Sequence, residues 1–182
     1  MAISSTFVTG QVFTAADANL MANSGLVYVT SVTAGSGVST VTVSSCFSST
    51  YDNYRIVVSG GTASYSGNNT NFQLSGITGS TYQTAGYFVT YGTATVSAYA
   101  PAATTSWLIG FFGVNNTSIT MELINPFVAK HKGMNTLSGA TFNYSFTGQC
   151  TSTTSATGFT LAIDSPVTFT GQTVTVYGYR KA

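Results

Sequence analysis

Thr141-Phe142-Asn143-Tyr144-Ser145-Phe146 sets an aromatic ring at every second position with a small polar side chain between. Successive side chains of a strand point to opposite faces, so this period of two describes a strand with one apolar and one polar face. The same alternation runs through Ile119, Met121 and Leu123 against Thr120 and Glu122. It runs through Val41 and Val43 against Thr40, Thr42 and Ser44, and again through Phe159, Leu161 and Ile163. Three runs, Arg55-Ile56-Val57-Val58, Tyr87-Phe88-Val89 and Trp107-Leu108-Ile109, are apolar in both phases and predict central or interface strands. Gly/Ser/Asn clusters punctuate the chain at 34–37, Gly60-Gly61, 66–71, Asn115-Asn116, 152–155 and Gly171-Gln172. Pro101, Pro126 and Pro166 fall between runs, where a residue without an N–H is tolerated, and Asn125-Pro126 marks a corner. No unit of 20–50 residues recurs, which argues against solenoids and propellers. Short strands at this spacing predict an all-β chain: an antiparallel β-sandwich, and among sandwiches a jelly roll, over residues 26–182.

One stretch reads as helix. Thr14-Ala15-Ala16-Asp17 combines an N-cap hydroxyl with an acid three residues on, which also suits the positive end of the helix dipole. Residues 15–23 are mostly good helix formers, with Leu20 and Met21 available for burial and Gly25 placed to end the turn. A helix of two to three turns is marginal alone and has to dock on something. Its own domain, a symmetry mate or a larger protein would supply that surface, and residues 1–25 stand apart in sequence from the β region.

The chain carries five basic and four acidic residues, 5% of its length, where a soluble domain averages about 25%. Hydroxyls, amides and phenols have to keep it in solution, a composition that suits extracellular or assembled β-proteins. A net charge of +1 offers no footprint for a phosphate backbone or an anionic membrane, so no nucleic-acid partner is expected. The basic clusters Lys130-His131-Lys132 and Arg180-Lys181 read as a solvated loop and tail. No apolar run approaches the roughly 18 residues of a spanning helix, so membrane insertion is not expected. Met1 to Thr6 lacks the basic and apolar regions of a secretory leader. Cys46 and Cys150 have no Cys or His at ligand spacing, so neither a metal nor any other cofactor is expected. They are either two buried thiols or one disulfide between strand ends.

Catalytic chemistry has little to draw on. The carboxylates are Asp17, Asp52, Glu122 and Asp164. Asp17 serves the helix start, Asp52 and Asp164 lie in turn-like stretches, and Glu122 falls on the polar phase of its strand, where an ion pair is expected. Paired-carboxylate hydrolysis is thus disfavoured. His131 is the sole imidazole, with no orienting acid beside it, and no Gly-x-Ser-x-Gly elbow or phosphate-binding loop occurs. The expectation is a protein that is not an enzyme. Surface recognition remains: Tyr65, Tyr82, Tyr91 and Tyr99 lie near polar turns, where an amphipathic ring can cap the sandwich, fill a subunit contact or stack on a sugar.

Gly10-Gln11-Val12-Phe13-Thr14-Ala15-Ala16-Asp17-Ala18-Asn19 resembles the G-x-x-L-T-A-A-D-L-N segment at the start of many tailed-bacteriophage structural proteins, tail fibres among them, with Phe13 and Ala18 in place of leucines. The motif covers about a tenth of the chain. The strands at 54–60 and 174–180 are similar to that group in a looser way. The resemblance implies a virion protein, homotrimeric in the fibre cases, assembled in the host cytoplasm and released with the particle. Phe13, Thr14, Ala15, Ala16, Asp17, Asn19 and Leu20 would form the attachment segment, docking on other tail or baseplate proteins. The body would face a host surface glycan, with Tyr65, Tyr82, Tyr91 and Tyr99 as receptor-contact loops. A capsid decoration or head-fibre protein is the alternative the same features allow; a polysaccharide-degrading enzyme and a bacterial adhesin fit less well. The chain departs from long fibres in having no extended shaft.

Overall fold

The computed structural model describes residues 25–114, 118–139 and 142–181. The helix expected over 15–23 and residues 1–24 of the N-terminal segment lie outside the described residues. Within them the chain is all β, every strand pairing is antiparallel, and no helix occurs.

Eight strands make the larger sheet. From one edge to the other they are β1 (Leu26–Thr33), β15 (Thr173–Arg180), β4 (Tyr51–Ser59), β10 (Ser118–Ile124), β11 (Lys132–Gly139), β12 (Phe142–Cys150), β7 (Tyr82–Thr90) and β8 (Val96–Tyr99). A four-stranded sheet runs β3 (Thr40–Val43), β13 (Phe159–Ile163), β6 (Asn68–Leu74), β9 (Trp107–Phe112). A small third sheet joins β2 (Ser36–Val38), β14 (Phe169–Thr170) and β5 (Thr62–Ala63), and brings Phe169 edge-on to Phe112.

The period-two strands point their apolar phase into one core. Ile119, Met121 and Leu123 of β10, Tyr54, Ile56 and Val58 of β4, and Val174 and Val176 of β15 are all buried. From the smaller sheet come Val41, Val43, Phe72, Leu74, Phe159 and Leu161. Rings link the layers: Phe111 of β9 stacks on Tyr144 of β12 at 4.3 Å between centroids. Phe47, Phe159, Phe72, Trp107 and Tyr82 form a continuous aromatic row with centroid spacings of 5.7, 4.5, 6.1 and 5.1 Å. Each such pair adds about 0.5–1.5 kcal/mol beyond its buried area, which gives a charge-poor chain a specific core.

Four sequence-based expectations are corrected. Asp52 is not in a turn: β4 begins at Tyr51, because its first residues already pair with β10 and with Arg180 of β15. Lys132 is not solvated loop but the first residue of β11, buried, with its ammonium turned back to donate to the carbonyls of Val128 (3.1 Å) and Lys130 (2.6 Å). Desolvation lowers its pKa, and the two carbonyls supply the partners a buried ammonium requires. Tyr87 is half exposed rather than buried, since its side chain points to the uncovered outer face of the eight-stranded sheet. Trp107 to Gly110 are buried on both sides although β9 is an edge strand, because β9 packs against β7, β10, β11 and β12.

Candidate functional site

The outer face of the eight-stranded sheet is made by the polar phase of its strands, and register lines these residues up in rows. One row crosses as Tyr28, Tyr177, Arg55, Glu122, Asn135, Thr147, Ala85. The next crosses as Ser31, Thr175, Val57, Thr120, Leu137, Ser145, Tyr87, Ala98. Tall side chains stand over short ones within these rows. Tyr87, Leu137, Asn135, Arg55 and Glu122 wall a groove of about 450 Å³, and Thr120, Ala85, Gly86, Ser145 and Thr147 contribute its low lining. Small-molecule sites commonly span about 300–1,000 Å³.

The charged pair in the groove is fixed. Glu122 accepts from the Arg55 Nε–H at 2.6 Å and from its Nη2, and its other oxygen accepts from the Tyr179 hydroxyl at 2.7 Å. The hydrogen bond that Arg55 donates to Glu122 raises the Arg55 pKa, while partial burial and the same carboxylate raise that of the Tyr179 phenol. Both ions are about a third exposed, so the pair adds only about 0–1 kcal/mol of stability. Its effect is geometric, holding a guanidinium and a carboxylate against each other on the outer face of the sheet. Two large apolar groups wall the groove. Leu137 is 64% exposed and Tyr87 48% exposed.

Leu137 is out of phase with what its strand composition suggests. In β11 the polar Thr136 and Ser138 point inward and Leu137 outward. The cause lies across the core: a Cβ at Gly110, whose φ is +155°, would come within 2.9 Å of the Ser138 side chain, so β9 approaches too closely for anything larger there.

The tyrosines singled out from sequence do not form one site. Tyr65 is 66% exposed in the β5–β6 connection, and Tyr91 is 59% exposed just past β7. Tyr99 is half-buried on the inner side of β8, edge-on to Phe146 at 5.7 Å. Tyr82 is fully buried: its hydroxyl accepts from the Leu74 N–H at 3.1 Å and donates to the Ile77 carbonyl at 3.3 Å. Its ring belongs to the core, so it leaves the receptor-contact set. The groove residues Arg55, Tyr87, Asn135 and Leu137 were not singled out, because a sequence does not say which strands are neighbours. The one available signal was a leucine flanked by hydroxyls in a strand.

The other two described carboxylates each have a local partner. Asp52 pairs with Lys181 at 2.8 Å, and Asp164 accepts from the side-chain amides of Asn69 and Asn71, both at 2.8 Å, in the turn expected for it. Cys46 and Cys150 are free, buried thiols. Burial pushes the Cys46 thiol up to about 12. No group of three or more His, Cys, Asp or Glu residues comes together among the described residues. Compared with protein-family models, curated proteins and solved structures, the chain matches none.

Proposed function

We propose that the chain is a bacteriophage virion structural protein: a short, homotrimeric tail fibre, attached to the tail or baseplate through residues 1–25, whose β-sandwich body contributes to host-surface attachment. The observation that carries this reading is an attachment-like motif, Gly10 to Asn19, joined to a charge-poor all-β body. The strand order supports a jelly roll for that body. Numbered along the chain as one to eight, β1, β3, β4, β6, β9, β10, β13 and β15 fall into sheets ordered 1-8-3-6 and 2-7-4-5. That is how a β-ribbon wraps into a jelly roll, and β11, β12, β7 and β8 extend the first sheet.

Scarcity of charge also fits assembly, since contacts between copies then rest on rings, hydroxyls and backbone and are only weakly screened by salt. With each described carboxylate engaged by a local partner, we read the body as a binding and structural element rather than an enzyme. Particles made without this chain test the attachment role. They should adsorb to host cells more slowly than wild-type particles and recover when the chain is supplied during assembly; adsorption at the wild-type rate refutes it.

A further inference from the structure

We propose that the groove across the outer face of the eight-stranded sheet is a binding site for a neutral oligosaccharide. The inference deepens the attachment reading above and rests on it for its biological setting, but the site is argued from its own chemistry. A sugar presents an apolar C–H face, a rim of hydroxyls that both donate and accept, and no net charge. The groove offers the counterpart of each. Tyr87, half exposed, and Leu137, nearly two-thirds exposed, supply apolar surface on the side of β7 and β11. Next to Leu137 on β11, and across the low Ser145 and Thr147 of β12 from Tyr87, stands the Asn135 amide, a donor and an acceptor in one plane, which no residue takes up among the described residues.

Charge decides between ligand classes. The lining carries one cation and one anion, Arg55 and Glu122, and they are bound to each other. An anionic polymer therefore finds no uncommitted cation in the groove, whereas a neutral hydroxyl-rich ligand meets a fixed guanidinium edge and carboxylate without having to break the pair. The Tyr179 hydroxyl holds the second carboxylate oxygen, so the pair is oriented before any ligand arrives, which lowers the ordering cost of binding.

The full chain, labelled with a fluorophore, is applied to an array of neutral and anionic oligosaccharides, and the strongest binder is then titrated. Binding is expected on neutral glycans, with Tyr87→Ala and Asn135→Ala each weakening it about tenfold or more, the size of effect that marks an anchor. Val96→Ala and Val114→Ala, exposed but outside the groove lining, should bind as wild type. Both groove side chains are exposed, and unchanged urea midpoints for the two variants would confirm that folding is intact. The proposal is overturned if no neutral glycan binds, if binding is confined to anionic glycans, or if Tyr87→Ala binds normally. It is also overturned if Tyr87→Ala instead changes the sedimentation coefficient of the chain, for then the face is a contact between copies. Glycan binding by a chain absent from phage particles would leave the site standing and remove the virion reading; a chain present in particles that binds no glycan would do the reverse.

Discussion

Replacing Tyr82 by phenylalanine separates a core tyrosine from a recognition tyrosine. The substitution keeps the ring, its edge-on contact with Trp107 at 5.1 Å and its burial, and deletes one hydroxyl. Two groups bond to that hydroxyl. The Ile77 carbonyl keeps a second partner, the Gln73 side-chain amide at 3.4 Å, so its loss is small. The Leu74 N–H has the hydroxyl as its acceptor at 3.1 Å and is left buried and unpaired. An orphaned buried donor costs about 1–3 kcal/mol, so a loss of about 2 kcal/mol is expected. With an m-value of about 2 kcal/mol/M, the urea midpoint should fall by about 1 M at unchanged m. Circular dichroism and tryptophan fluorescence of Trp107, read on the same samples, should give coincident transitions. A midpoint shift below about 0.2 M would refute the reasoning, since it would mean that water reaches the Leu74 N–H.

Raising pH should unfold the chain by a definable route. The Cys46 thiol stands at 9.0 in the unfolded chain and about 12 in the fold, so between those values the unfolded state holds fewer protons and stability falls as pH rises. Burial raises the phenols of Tyr54, Tyr82 and Tyr144 in the same sense; urea midpoints at pH 8, 9.5 and 11 should decline in order, and a flat profile would contradict this. Asp164→Ala removes the acceptor of two amide bonds at 2.8 Å and should cost about 1–3 kcal/mol in urea titration, while Asp164→Asn should recover part of it. Gly178→Ala would drive a methyl into the Tyr51 ring lying over it, so thermal melting should drop by several degrees; the double variant Gly178→Ala, Tyr51→Ala should relieve the clash if that contact is the cause.

Much of the fold was legible because alternation carries phase. The inward residues of β3, β10, β12 and β13 could be read directly, since an apolar side chain at every second position has only one way to be buried. Lys132 and Asp52 were misread because composition says "loop" for basic and turn-like runs, whereas a buried ammonium with two carbonyl partners and a strand end held by Lys181 are tertiary facts. The groove was the least legible part. Tyr87 and Leu137 lie 50 positions apart and become near neighbours only because β12 intervenes between β7 and β11, with Ser145 opposite both. Such a site has no linear motif, and the tyrosines near turns drew attention by position alone.

The location of this chain in an intact phage particle tests the central claim most directly. Antibody raised against the full chain, gold-labelled and imaged on purified particles, should decorate the tail or baseplate. Label confined to the head would make it a decoration or head-fibre protein, and particles free of the chain would contradict the virion reading outright.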